Sequence, residues 1–268
     1  MKTKYKIYIA QFISFFLRPF FSKEHIFVRN GIKWNLDLNE GIDLSIFLFG
    51  TSEKKIKNIK KFFKLNKKIT VIDIGANIGS ISLPIAKMFP KSKIYSIEPT
   101  TYAFKKLTTN LHLNKDLIKN ISLKQLFISK INKPKKVWSS WNFKSEKNKH
   151  KKHFGSLQKI KKDSYISLNN FINSEKIKKI DFIKLDVDGH ELDVLKSGEK
   201  FIKKKRPIIF IEIAPYLYPE FGYECSELIK YINKLGYSFY SDNLIKIKDI
   251  DNYINKITYG SSKNFYLA

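Results

Sequence analysis

From residue 69 onward, short apolar runs of strand length alternate with segments of helical spacing. ITVIDIG is a short, continuous apolar run, as is typical of a parallel strand buried on both faces. Four further strands are predicted in KIYSIEP, ISLKQLFIS, KIDFIKLDVDG and RPIIFIEIAP. Four intervening segments have helical periodicity: SISLPIAKMF, TYAFKKLTTNLHLN, HELDVLKSGEKFI and SELIKYINKLGY. Two further strands are predicted in GYSFYSD and in the C-terminal NFYLA. This alternation predicts βαβ units in an α/β, doubly wound sheet.

The chain before this pattern differs in composition. Residues 1–27 are first basic and then strongly aromatic, and Arg18 and Pro19 interrupt the apolar run. We expect residues 1–65 to form a partly helical extension and residues 66–268 to form the main domain. Two interpretations of residues 1–27 stay open. The segment forms a helix packed on the domain, or it lies on a membrane surface with its aromatic side chains buried.

Composition limits the classes of protein. A hydrophobic content of 43% excludes general disorder, and no uncharged apolar stretch reaches the 18 residues that suggest a spanning helix. Cys225 is the single cysteine, so no internal disulfide can form, and we expect a cytoplasmic protein that is at most peripheral to a membrane. The net charge of +27 favours an anionic partner, although a role in solubility alone accounts for it equally well.

The sequence VIDIGANIGS, residues 71–80, predicts a ligand site at the first strand-to-helix turn. In open α/β sheets, ligands bind beyond the carboxyl ends of the strands, and glycines such as Gly75 and Gly79 let a cofactor approach the backbone. Glu98 ends the second strand, where such folds place a carboxylate that accepts hydrogen bonds from ribose hydroxyls. Glycines also occur wherever a chain turns sharply, so it is the combination of turn and acid that indicates a site.

The type of nucleotide follows from what the turn lacks. The second glycine of the dinucleotide fingerprint is absent, and so is a phosphate-binding Gly-Lys-Ser/Thr loop. The remaining choice is a nucleoside without phosphates, with Asp73 placed to meet a cationic or amino-acid group. S-adenosylmethionine has this chemistry, and we expect it to be the cofactor.

Several segments together resemble the FkbM-type family of S-adenosylmethionine-dependent methyltransferases: VIDIGANIGSISL, SIEP, TTNLHLN, HFGSLQ, IDFIKLDVDGHELDVLKSGEKFI and PIIFIEI. The resemblance runs from about residue 41 to the C-terminus. It implies a class I methyltransferase sheet, Rossmann-like, of seven strands with the last one antiparallel, and methyl transfer to an oxygen. It also implies the cofactor-binding residues, which are Asp73, Gly75, Asn77 and Gly79 at the methionine end, Glu98 at the ribose, and Leu126 and Phe127 beside the adenine.

Catalytic candidates lie after the fourth and fifth strands. A sugar hydroxyl is a weak nucleophile and needs a positioned base, and the expected catalytic residues are Asp186, Asp188, His190 and Glu212. Members of the family commonly have Glu where this chain has Asp188. The neighbouring Glu191 belongs to the same cluster of acids, but the preference for acids in the first turn of a helix explains its presence equally well. DVDG lacks the acid at position twelve of a calcium loop, so no metal is expected, although a single divalent ion at Asp186 or Asp188 stays open.

The acceptor is the least determined part of the prediction. Residues 144–162 carry eight lysines and follow Trp138 and Trp141, which suits either a solvated loop or a cover for an anionic acceptor. We expect an O-methyltransferase acting on a surface glycan, a lipid-linked sugar or a related metabolite. A nucleic-acid methyltransferase is the first alternative, but no Asn/Asp-Pro-Pro-Tyr motif is present and nucleic acid is disfavoured. A noncatalytic module that binds glycan or membrane is the second alternative.

Overall fold

The structure is a computed structural model that describes residues 24–50, 56–130, 134, 136–141, 155–162 and 164–268, together with Phe12 and Phe16. Most of residues 1–27, for which a packed helix and a membrane-surface helix both stay open, lie outside these residues, as does most of the basic loop 144–162. The rings of Phe12 and Phe16 are exposed and meet edge to face, 5.0 Å apart. No helix within the described ranges is long and apolar enough to cross a membrane.

The elements of the first half are β1 (His25–Arg29), β2 (Ile32–Leu36), α1 (Gly41–Phe49), α2 (Ile59–Phe62), β3 (Thr70–Ile74), α3 (Ser82–Met88), β4 (Lys93–Ile97), α4 (Thr101–His112), α5 (Lys115–Ile118), β5 (Ile121–Lys124), β6 (Phe127–Ile128) and β7 (Lys136–Trp141). Those of the second half are β8 (Gly155–Lys159), β9 (Tyr165–Ile166), α6 (Leu168–Ser174), β10 (Phe182–Leu185), α7 (Glu191–Ser197), α8 (Glu199–Lys205), β11 (Ile208–Ile213), a 3₁₀ turn (Tyr218–Phe221), α9 (Cys225–Lys234), β12 (Phe239–Tyr240), α10 (Ile250–Asn255) and β13 (Lys263–Leu267).

Seven strands form the central sheet in the order β12-β13-β11-β10-β3-β4-β5. The pairs from β5 to β11 are parallel, whereas β13 is antiparallel to both of its neighbours. The predicted doubly wound sheet of seven strands, with the last strand in the chain antiparallel, is confirmed. From β3 the chain adds β4 and β5 on one side of the sheet, and it then adds β10 and β11 on the other side. The carboxyl ends of β3 and β10 therefore flank the crevice where such sheets bind ligands.

Two predicted elements are interrupted. The third strand was expected to run through ISLKQLFIS, but β5 ends at Lys124, and Phe127 and Ile128 pair instead with β9 in a separate two-stranded sheet. The helix predicted in HELDVLKSGEKFI is divided at Gly198 into α7 and α8. Leu168 lies so close to Gly198 that a Cβ atom there would clash with its side chain, so the glycine accommodates the packing of α6.

A β-hairpin within the N-terminal extension was not predicted. Strands β1 and β2 pair around Asn30 and Gly31, a dipeptide that favours tight hairpin turns. The hairpin buries Trp34 completely, in a core that it shares with β3, α3 and α4 on one face of the sheet. Apolar side chains between Ile32 and Ile46 and between Ile56 and Phe63 thus contribute to the same core as the sheet, while the division of the chain at residue 65 stays a prediction.

Replacement of Trp34 tests whether the hairpin is part of the cooperative fold. Trp34→Ala is expected to lower the free energy of unfolding by about 3 to 5 kcal/mol, because it removes a large, fully buried side chain. Ile26→Ala is the control, since Ile26 lies on the outer side of the same hairpin and is 59% exposed. Urea unfolding measures both, and equal, small losses would show that the hairpin does not contribute to the stability of the domain.

Candidate active site

Four neighbouring strands bring their carboxyl ends to one level. In the sheet register, Ile74 of β3 is the partner of Ile97 and Leu185, and Leu185 is the partner of Ile211. The residues that follow these positions are Glu98, Gly75, Asp186 and Glu212. The sheet therefore brings together two residues from each of the two predicted groups, cofactor-binding and catalytic, on adjacent strands.

The turn after β3 needs its two glycines for different reasons. Gly75 has a φ of 80°, and a Cβ atom there would fall far inside the van der Waals distance of the Asp186 carbonyl oxygen. Gly79 has a φ of 91°, and a Cβ atom there would lie 2.9 Å from Leu107 of α4. The amides of Gly75 and Ala76 both donate to the carbonyl of Ile97, at 2.9 Å. The turn is thereby held against both neighbouring strand ends.

Glu98 is buried and fixed by the turn. Its carboxylate accepts from the amide of Asn77 at 3.0 Å, and from the amide and hydroxyl of Thr100 at 3.0 and 2.6 Å. Burial raises the pKa of the Glu98 carboxyl, while these hydrogen bonds act to lower it. Asn77 adopts a left-handed φ of 49°, which Asn tolerates better than most residues. Asn77 and Glu98, predicted separately from the sequence, are thus linked directly.

Asp73 lies beneath the turn and is completely buried. One carboxylate oxygen accepts from the hydroxyl of Ser82 at 2.6 Å, and that hydroxyl is 2.5 Å from the hydroxyl of Ser96. Burial raises the pKa of the Asp73 carboxyl, and the nearby ammonium of Lys184 opposes this effect. Contact between Asp73 and a cofactor stays a prediction, and a carboxylate at this depth would act on a ligand through its neighbours.

Lys184, on β10, occupies the centre of the site. Its ammonium donates to the carbonyl oxygen of Gly75 at 2.6 Å and lies 3.5 Å from carboxylate oxygens of both Asp73 and Asp186. The side chain is 7% exposed. Lys184 was not among the site residues predicted from the sequence. The signal that identifies it is a lysine within an otherwise apolar central strand, where a charge requires buried partners.

The predicted catalytic acids lie in the loop after β10. Asp186 is partly exposed, and Asp188 is exposed with a left-handed φ of 47°. Protein atoms around Asp188 displace part of its water and raise the pKa of its carboxyl well above the usual range, and the charges of Asp186 and Glu212 act in the same direction. Glu212, on β11, accepts a hydrogen bond from the hydroxyl of Ser262. Three of the four predicted catalytic residues thus meet at one edge of the sheet.

His190 and Glu191 are more deeply buried than these acids. The His190 ring lies edge-on to the rings of Phe127 and Phe221, with centroids 5.1 and 4.4 Å away. Burial lowers the pKa of His190 to about 4, so the imidazole is neutral at pH 7. The carboxyl of Glu191 accepts from the amides of Val187 and Gly189, and burial raises its pKa to about 8. Glu191 therefore shapes the loop that carries the exposed acids.

The two residues predicted beside an adenine lie beyond the end of β5. Leu126 is partly buried in the connection to β6, and Phe127 is buried on β6 in contact with His190. Their predicted place at the end of a sheet strand was wrong, because β6 pairs outside the central sheet. Strand β8 borders the same region, since Ile160 bridges to Thr100 and Lys161 donates to the carbonyl of Pro99. Nothing in the sequence pattern had indicated that β7 and β8 form a hairpin.

The glycine turn and the carboxylate of Glu98 together suit a nucleoside cofactor. The turn of Gly75 and Gly79 leaves no room for side chains, and Glu98 supplies a carboxylate at the end of the neighbouring strand, as ribose hydroxyls require. In the part of the chain that the structure describes, no three His, Cys, Asp or Glu side chains are grouped as metal ligands.

Fold and site together define a class I methyltransferase, with a glycine turn and ribose-type acid on one side of the crevice and carboxylates on the other. Residues 73–239, more than half of the chain, match the family described as the methyltransferase FkbM domain. The chain therefore belongs to the FkbM methyltransferase family, which confirms the predicted family and fold.

Similarity to individual proteins is more distant. A tRNA(Phe) (4-demethylwyosine(37)-C(7)) aminocarboxypropyltransferase from Pyrococcus horikoshii is 38% identical over 90 residues, covering 34% of this chain and 30% of that protein. Methyltransferase sdnD from Sordaria araneosa is 28% identical over 157 residues, covering 48% of this chain and 60% of that protein. The chain thus covers less than two thirds of either relative. The crystal structure of a methyltransferase FkbM from Methylobacillus flagellatus is similar with a TM-score of 0.46 and 15% identity, over 76% of this chain and 45% of that one.

Two glycine substitutions test the close approach at the turn. Gly75→Ala is expected to destabilise the protein by well over 1 kcal/mol, because the methyl group collides with the Asp186 carbonyl in addition to straining the backbone. Gly222→Ala is the matched control, since Gly222 has a similar φ of 78° but no atom within 4 Å of the added Cβ. Denaturant unfolding compares the two, and equal losses would mean that the turn and the Asp186 loop are not in contact.

Proposed function

We propose that this methyltransferase transfers the methyl group of S-adenosylmethionine to a hydroxyl of a surface glycan, a lipid-linked sugar or a related metabolite. The observation that carries this proposal is the shared level of four strand ends, with cofactor-type residues on β3 and β4 and carboxylates on β10 and β11. Methyl transfer is an in-line displacement, so it requires a donor site and an acceptor site placed side by side.

The cofactor side is supported by family membership and by the fit of the turn. S-adenosylmethionine supplies an electrophilic methyl group on a sulfonium cation. The chain would hold it through the backbone of Gly75 and Gly79 and through the carboxylate of Glu98. The amide of Asn77, which donates to Glu98, would keep that carboxylate oriented toward the ribose.

The acceptor side is supported by the placement of Asp186. Its carboxylate is partly exposed beside the Gly75 turn, so a hydroxyl held there lies next to the donor site. We assign Asp186 the role of orienting or deprotonating this hydroxyl, with Asp188 and Glu212 binding other hydroxyls of the acceptor. His190 is buried between two phenyl rings and its pKa of about 4 leaves it a weak base, so it is better suited to shaping the site.

A nucleic-acid acceptor is the second candidate. The P. horikoshii relative is named for a reaction on tRNA, and the net charge of +27 would favour a polyanion. The carboxylates of Asp186 and Glu212 argue for a sugar instead, because they would repel a phosphate backbone at the reaction centre. Mass spectrometry of surface polysaccharides and of tRNA, from cells with and without the protein, distinguishes the two: loss of a 14 Da methyl increment from one of the polymers identifies the acceptor.

Loss of the Glu98 charge tests the cofactor site. Glu98→Gln is expected to weaken binding of S-adenosylhomocysteine by about 1 to 3 kcal/mol, because a buried carboxylate contact with the ribose is lost. Asp116→Asn, an exposed acid on α5, is the control. Isothermal calorimetry gives both affinities. Absence of binding by the unaltered protein, or unchanged binding by Glu98→Gln, would contradict the assignment.

Replacement of Asp186 tests the acceptor site. Asp186→Asn is expected to keep the fold and to slow methyl transfer by about 100- to 10,000-fold, the usual cost of removing a general base. Asp188→Asn and His190→Ala are expected to lose less. Single-turnover transfer to the acceptor identified by mass spectrometry makes the comparison, and a rate near that of the unaltered protein for Asp186→Asn would exclude Asp186 as the base.

A further inference from the structure

Lys184 is a buried cation without a role in the proposed transfer itself. It stands on the central strand β10, in register with Asp73 on β3, and its side chain is 7% exposed. A lone ammonium at this depth would be strongly disfavoured, so its partners determine whether it stays charged. The partners come from two different loops, and this arrangement suggests a function.

One set of partners belongs to the cofactor turn. The ammonium donates to the Gly75 carbonyl at 2.6 Å and lies 3.5 Å from the Ile74 carbonyl, directly below the turn. It also faces the oxygen of Asp73 that lies 3.5 Å away and has no hydrogen-bond partner. Through these contacts the ammonium holds the backbone of the Gly75 turn, on which the cofactor would lie, in one position and orientation.

The other partner belongs to the acceptor side. The Asp186 carboxylate lies 3.5 Å from the same ammonium, and the Asp186 amide donates to Ile74 at 3.3 Å. Burial would lower the pKa of Lys184, but Asp186 and Asp73, together with Glu212 and Glu98, raise it. Lys184 therefore stays protonated at neutral pH and cannot itself serve as the base.

We infer that Lys184 is a positioning residue that joins the two halves of the site: it holds the Gly75 turn in place for the cofactor and keeps the Asp186 carboxylate ionised and oriented for the acceptor. The inference rests on the proposed function in taking the turn as the cofactor site and Asp186 as the group that meets the acceptor. The effect on the turn comes from a hydrogen bond, and the effect on Asp186 comes from charge. The two effects can therefore be separated by substitution.

Three substitutions separate the hydrogen bond from the charge. Lys184→Met removes both, Lys184→Gln keeps a donor for the Gly75 carbonyl but no charge, and Lys184→Arg keeps both. Lys179→Met is the matched control, because Lys179 also pairs with an aspartate, Asp181, but at the amino end of the same strand and with 64% of its side chain exposed. Thermal unfolding of every variant shows whether it is folded.

Two readouts follow the two effects. Titration of ¹³C-labelled aspartate carboxyls by NMR, with the Asp186 signal identified from Asp186→Asn, is expected to show its pKa raised by about one unit or more in both Lys184→Met and Lys184→Gln. Calorimetry with S-adenosylhomocysteine is expected to show about 10- to 100-fold weaker binding in Lys184→Met, with smaller losses in Lys184→Gln and Lys184→Arg. Lys179→Met should change neither quantity.

The outcomes distinguish the inference from a purely structural role and from failure of the proposed function. If folded Lys184→Gln left the Asp186 titration unchanged, the charge would not act on Asp186 and the inference would be overturned. If Lys184→Met does not fold, the same test is made by comparing Lys184→Gln, which lacks the charge, with Lys184→Arg, which keeps it. If the unaltered protein bound no S-adenosylhomocysteine, the proposed function would fail, while the NMR titration would still decide whether Lys184 controls Asp186.

Discussion

The arrangement of this site depends on the contacts that the buried ammonium of Lys184 makes. It lies in the low-dielectric centre of the sheet, where an isolated charge is costly and a paired charge is held firmly. Its partners are the Gly75 carbonyl and the carboxylates of Asp73 and Asp186, which belong to different strand ends. A cation at this point opposes the repulsion that would otherwise separate acids gathered along one edge of the sheet.

Sheet register turns this local interaction into a site with two sides. Because β3 pairs with both β4 and β10, the cofactor turn has Glu98 on one side and Asp186 on the other. The close approach of Gly75 to the Asp186 carbonyl leaves no gap between the two loops. The backbone thus sets the proposed donor and acceptor sites side by side, which is the condition that in-line methyl transfer requires.

Periodicity predicted the central sheet from sequence, because its buried strands give largely apolar runs. Turn chemistry and the strand-end acids predicted which residues meet at the edge of the sheet, and the roles of these residues stay predictions. The N-terminal hairpin was not predicted although Asn30-Gly31 favours a hairpin turn, because the aromatic segment before it is also compatible with a helix. Leu126 and Phe127 were predicted at the end of a strand of the central sheet, but Phe127 lies on β6, which pairs with β9 outside that sheet. The local pattern of apolar residues does not determine which of several strands, distant in sequence, pair with each other. Lys184 was not predicted as a site residue, although a lysine within an otherwise apolar strand is a sequence signal for a charge that needs buried partners.

The central claim is that cofactor and acceptor sites lie side by side, with Glu98 and Asp186 on opposite sides of the Gly75 turn. A crystal structure of the protein with S-adenosylhomocysteine tests it most directly. The account predicts a ribose hydroxyl within hydrogen-bonding distance of the Glu98 carboxylate, and the sulfur on the side of the turn that faces Asp186. Product bound elsewhere, or bound at the turn with its sulfur directed away from Asp186, would contradict it.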